Sequence, residues 1–92
     1  MKLKLSRYPF ELAQGEEIIP VILSLIDESA TISIICKNTD KFSEVEKKLY
    51  ELYPEYEGDN SFILNGKEIN KNDNLIENGI NNRSIIYFTK IS

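Results

Sequence analysis

Few residues in this chain could do chemistry. Cys36 is the single cysteine, and histidine is absent. A nucleophilic thiol needs a base or a cation beside it. Cys36 instead stands between Ile35 and Lys37 in an apolar run, which points to a buried, inert thiol. Asp27 and Glu28, and Glu55, Glu57 and Asp59, are the carboxylates close enough in sequence to pair as acid and base or to share a cation. Neither group has the spacing of a calcium loop, so solvated loop charge is the simpler reading. Asn65-Gly66 is a turn signal and not a phosphate cradle. No catalytic, cofactor-binding or metal-binding residues are therefore assigned, and the expected role is not that of an enzyme.

Bulk composition narrows the classes further. Ninety-two residues make one domain, with 11 basic against 15 acidic side chains and a net charge of −4. A mildly acidic chain without a basic run argues against nucleic acid or an anionic membrane as partner. No apolar run reaches the roughly 18 residues that a span requires. The most apolar stretch, 18–26, is broken by Pro20 and preceded by Glu16 and Glu17, so it reads as a core strand and not a signal peptide. One cysteine fits a reducing compartment, and the expected location is cytoplasmic.

The elements that position these residues centre on a helix expected over 42–53. Phe42, Val45, Leu49 and Leu52 form one apolar stripe, with Glu44, Lys47, Lys48 and Glu51 opposite. Thr39 or Asp40 is the expected N-cap, and Pro54 the stop. A lone helix among strand-like runs implies a sheet covered on one face. Residues 19–27 read as the first strand with Pro20 near its start, 27–30 as a turn, and 31–37 as the second strand. Residues 62–64 and 67–69 form a hairpin around Asn65-Gly66, and 84–90 the closing strand. The stretches 53–60 and 70–82 read as loops, the second with a helical or 3₁₀ turn near 75–77 anchored by Leu75, Ile76 and Ile80.

Phe62-Ile63-Leu64-Asn65-Gly66-Lys67-Glu68-Ile69, then Asn74-Leu75, Asn78-Gly79-Ile80 and Ser84-Ile85-Ile86, resemble the ubiquitin-like β-grasp family at similar spacings. Phe42, Val45 and Leu49 fall where that family's helix faces its sheet. The resemblance spans about 21–91. It implies an α+β fold, a mixed four- to five-stranded sheet of order 2-1-5-3 with one helix packed across a face, over residues 19–92. Residues 1–18 are then an N-terminal extension expected to pack on the domain. The family's conjugating members end in Gly-Gly. This sequence ends Thr89-Lys90-Ile91-Ser92, so the expectation is a domain that is not conjugated to targets.

The helix stripe labels one sheet face as inward, with Leu23, Leu25, Ile32, Ile34, Cys36, Phe62, Leu64, Ile86 and Phe88 on it. Outward positions are Ile22, Ser24, Ile26, Ser33, Ile35, Lys37, Ile63, Ile85, Tyr87 and Thr89, too apolar for a face meant only for water. The resemblance implies that Ile63 matches the central isoleucine of ubiquitin's binding patch. It places Tyr87 and Thr89 where that family has histidine and valine, and Lys67 after the turn glycine. The expected partner-binding residues are Ile63, Tyr87, Ile35, Thr89, Ile85 and Lys67. Their partner is a protein of unknown identity, with a weak homodimer through the same face as another use of it. Leu3, Leu5, Tyr8, Phe10 and Leu12 could cover the face partly from the N-terminal side. The alternative is a Ras-binding type of grasp domain whose second strand serves as an intermolecular edge, with Lys37 and Lys41 as its basic side chains.

Overall fold

The structure is a computed structural model and describes residues 14–91. Its elements are β1 (Ile18–Leu25), β2 (Thr31–Lys37), α1 (Phe42–Leu52), a 3₁₀ turn (Pro54–Tyr56), β3 (Asn60–Leu64), β4 (Lys67–Glu68) and β5 (Ile85–Lys90). The five strands form one mixed sheet in the order β2-β1-β5-β3-β4. β1 pairs antiparallel with β2 and parallel with β5, while β3 pairs antiparallel with β5 and β4. This is the α+β arrangement expected from the sequence. The expected cover of the open face by Leu3, Leu5, Tyr8, Phe10 and Leu12 lies outside the described residues.

Alternation sorts the two faces. Ile19, Val21 and Leu23 of β1, Ile32, Ile34 and Cys36 of β2, Phe62 and Leu64 of β3, and Ile86 and Phe88 of β5 are buried. They meet Phe42, Val45 and Leu49 of α1, which are fully buried. Phe62 joins the layers: its ring packs edge-on to Phe42 at 4.9 Å and stacks on Phe88 at 5.5 Å. Leu75 and Ile80 close the end of the core, as the sequence suggests. Leu25, expected inside, is only partly buried against the core.

Several local expectations give way to tertiary context. β1 runs from Ile18 to Leu25, one residue earlier at its start and two earlier at its end than the pattern suggests. The chain leaves the strand where Glu28 N–H donates to Leu25 O (2.8 Å) and Asp27 Oδ1 accepts from Ser29 N–H (2.9 Å). Those bonds tighten the turn and end the ladder. Neither Thr39 nor Asp40 caps the helix: the N-cap is Lys41, with no side-chain cap. Phe42 N–H and Ser43 N–H donate to the carbonyls of Asp73 and Lys71 at 3.0 Å, so a distant loop satisfies the helix's free donors. Asp40 Oδ2 accepts from Lys37 N–H instead, and Thr39 Oγ1 donates to Glu16. Leu52, on the stripe by spacing, is 61% exposed. Residues 54–56 form a 3₁₀ turn within the expected loop, and β3 begins two residues early, at Asn60.

The Asn65-Gly66 turn forms as its chemistry dictates, with φ of 53° and 82°. Residues 74–79 make a turn held by Asn78, whose Nδ2 donates to the carbonyls of Asn70, Asp73 and Asn74. An asparagine-rich loop is ordered here because its side chains bond to backbone groups that would otherwise need water.

Candidate functional site: the sheet face opposite the helix

Register places the outward residues in rows. Pro20 pairs with Ile35 across β1 and β2. Ile22 pairs with Ser33 on one side and Ile85 on the other. Ser24 stands between Thr31 and Tyr87, Tyr87 is opposite Ile63, and Ile63 is opposite Glu68. Thr89 continues β5 on the same face, opposite Ser61. Partners in a row share a face, because side chains alternate with period two.

The result is a diagonal apolar stair. Pro20 and Ile35 lead to Ile22 and Ile85, and those lead to Tyr87 and Ile63. Ile35 is 50% and Ile85 45% exposed, while Ile22, Ile63, Tyr87 and Thr89 are half-buried. Ser24, in the middle, is 4% exposed, and its hydroxyl donates to Leu25 O at 3.1 Å. Ile63, Tyr87, Ile85 and Thr89 thus come together on adjacent strands. Ile35 lies two strands away from β5, on β2, with β1 between them. Lys67 does not join them: it is opposite Leu64, whose side chain faces the helix, and Glu68 takes the place beside Ile63. The resemblance places the lysine with the patch by its position after the turn glycine, whereas the two-residue turn puts it in the other row.

The free edge of the sheet at β2 is partly occupied. Lys37 N–H is held by Asp40 Oδ2 at 2.9 Å, and Lys48 Nζ reaches from α1 to Ile35 O at 3.2 Å. Lys37 Nζ is also 3.7 Å from Glu16 Oε1. Bonded edge groups are no longer a ready template for an added strand.

Cys36 is fully buried, and its Sγ sits 3.7 Å from Ile34 O. Burial pushes its thiol up to about 11, which keeps it protonated at neutral pH. Asp27 is fully exposed, and its hydrogen bonds from Ser29 hold its carboxyl below the ordinary value. Among the described residues, no three His, Cys, Asp or Glu side chains gather as a metal site, and no helix is long and apolar enough to cross a membrane.

One polar cluster escaped the sequence reading. Asn60 is 3% exposed, and its Nδ2 donates to Tyr50 Oη (2.7 Å) and Tyr56 O (3.0 Å). Tyr50 donates to Glu46 Oε2 (2.7 Å), which also receives Lys71 Nζ (3.0 Å). Lys71 Nζ bonds Asn60 O and lies 5.2 Å from the centre of the Phe62 ring. Burial, and then the bond to Glu46, raise the Tyr50 phenol far above its usual value. The cluster ties α1, β3 and the loop after β4 together, and among the described residues no buried side-chain nitrogen or oxygen lacks a hydrogen-bond partner. Its members are up to 25 positions apart. The spacing of Glu46 and Tyr50, four apart on one helix face, was its only local signal.

No family model matches the sequence, and neither does any curated protein. Solved structures do match in shape. The ubiquitin-like domain of an Arabidopsis thaliana protein is similar with a TM-score of 0.73 at 19% identity, covering 92% of this chain and 89% of that one. The N-terminal ubiquitin-like domain of the 4931431F19Rik protein is similar with a TM-score of 0.68 at 18% identity, over 92% of this chain and 91% of that one. A designed protein based on ubiquitin gives a TM-score of 0.69 at 19% identity, over 87% and 94%. Likeness at these identities is a statement about architecture, and it agrees with the strand order, the helix placement and the hairpin turn: the chain has the ubiquitin-like β-grasp fold.

Proposed function

We propose that this chain is a non-catalytic ubiquitin-like interaction domain, of adaptor type, that binds a protein partner through the sheet face opposite its helix. The observation that carries the reading is the apolar stair from Ile35 through Ile85 to Tyr87 and Ile63. A face needed only for solubility would carry polar residues at these positions, and contiguous apolar surface on a small domain marks an interface. Tyr87 supplies wide apolar area with a hydroxyl at its tip, the profile of an interface anchor. Thr89 and Glu68 make a polar rim beside it. The free, protonated Cys36 accords with a cytoplasmic setting.

The Ras-binding type of reading, which uses β2 as an intermolecular edge, has less support. It needs open backbone groups and available basic side chains on that strand. Lys37 N–H and Ile35 O are already bonded, and Lys37 pairs with Glu16.

Amide shift mapping with an affinity-captured partner tests the two together. Ile63→Ala and Tyr87→Ala are expected to weaken binding, Tyr87→Ala by about 2 kcal/mol or roughly thirtyfold if it is the anchor. Lys37→Glu and Lys41→Glu are expected to leave it nearly unchanged. Shifts confined to β2, with binding lost on charge reversal and kept in Tyr87→Ala, would overturn the assignment in favour of the edge.

A further inference from the structure

The sequence holds two Asn-Gly pairs, Asn65-Gly66 and Asn78-Gly79. An Asn-Gly pair is the dipeptide most open to intramolecular attack, since glycine places no side chain in the path of its own amide nitrogen. The two pairs have opposite surroundings. Asn78 is locked at every atom the reaction needs. Its Nδ2 donates to three carbonyls, its Oδ1 accepts from Asn70 N–H at 3.0 Å, and Gly79 N–H donates to Ile76 O at 3.0 Å. Asn65 and Gly66 are exposed, and neither the Asn65 carboxamide nor the Gly66 N–H has such a partner among the described residues.

The hairpin around Asn65 is also weakly held. β4 is two residues long, lies at the edge of the sheet, and has both residues exposed. Its register with β3 consists of Ile63 with Glu68 and Leu64 with Lys67, followed by one bond from Ile69 N–H to Phe62 O at 2.8 Å, where Ile69 enters the core. A ladder this short opens locally far below the cost of global unfolding. Opening releases the left-handed backbone at Asn65, φ 53°, and lets Gly66 N reach the side-chain carbon.

We propose that Asn65 is a site of spontaneous, site-selective deamidation, through a cyclic imide with Gly66, and that the fold protects Asn78 from the same reaction. Gly66 N loses its proton to solvent and bonds to Asn65 Cγ. The Cγ–Nδ2 bond breaks, and the nitrogen leaves as ammonia. Water then opens the ring on either side, giving aspartate or isoaspartate. No electrons are transferred, and water is the only co-reactant. The isoaspartate product adds one carbon to the backbone of a two-residue turn, so the Leu64–Lys67 and Ile63–Glu68 pairs no longer fit their register. It also adds a negative charge next to Lys67.

The test is incubation of the full chain at mildly alkaline pH, with peptide mass mapping over time. Trypsin separates the two sites, into peptides 49–67 and 72–83. In the folded chain Asn65 is expected to convert roughly tenfold or more faster than Asn78, since each hydrogen bond that must break slows the protected site. In urea the two rates should converge, because the dipeptides are the same. Equal rates in the folded chain, faster conversion of Asn78, or no conversion of Asn65 while the urea sample converts would each overturn the proposal.

Discussion

Leu49 and Leu52 sit three positions apart on α1, and periodicity assigns both to one apolar stripe. The structure separates them. Leu49 is fully buried among the residues that join helix to sheet, whereas Leu52, at the helix end, is 61% exposed. The same substitution at each position isolates burial from helix propensity. Leu49→Ala removes buried atoms and leaves a cavity, a change that costs about 2–5 kcal/mol. For a domain of this size each kcal/mol moves the melting point by about 4–8 °C, so a mid-range loss of about 3 kcal/mol lowers it by roughly 12–24 °C. Leu52→Ala trims surface already in water and should stay within about 0.5 kcal/mol, or roughly 4 °C at most. Thermal melts and urea titrations on both variants measure the contrast, with an unchanged urea slope as the check that each unfolds from the same native state. Comparable losses for the two variants would refute the placement of the helix on the sheet, and with it the assignment of the opposite face.

Further expectations concern the polar cluster, pH and the turn. Asn60→Ala strips a buried donor from Tyr50 Oη and Tyr56 O, and urea unfolding should show a loss of about 1–3 kcal/mol. Cys36 and Tyr50 both have raised values in the folded chain, so it retains protons that the unfolded chain gives up, and stability should fall as pH rises. The Cys36 share begins near its ordinary 9.0 and is complete near about 11, worth about 2–3 kcal/mol. The Tyr50 share follows above its ordinary 10.0. Urea midpoints across that range measure the decline, and a flat profile would contradict the burial of both groups. Gly66→Ala forces a side chain into φ 82° and should cost about 1–2 kcal/mol although no atom blocks the added carbon.

Periodicity and turn chemistry are local, and they carried far. The stripe of Phe42, Val45 and Leu49, the alternation in β2, and the positive-φ turn at Asn65-Gly66 all follow from nearest neighbours along the chain. With a lone helix among strand-like runs they imply a sheet covered on one face, while the strand order is what the resemblance to the ubiquitin-like family implies. They also separated inward from outward residues well enough to single out Ile63, Ile85 and Tyr87 as members of one face. What they could not supply depends on where the chain returns. The helix is capped by the carbonyls of Lys71 and Asp73, some 30 residues downstream, because a backbone acceptor leaves no trace in side-chain type. Glu46, Tyr50, Asn60 and Lys71 meet only after the sheet is assembled. Lys67 falls in the helix-side row and Glu68 beside Ile63 because a two-residue turn sets that register. Leu52 is exposed because the helix runs past the layer that would bury it. The sequence by itself determined which elements form and which face each residue prefers. The tertiary structure alone decided which donors, charges and apolar ends those elements leave without water, since that depends on distances between segments that no local pattern encodes.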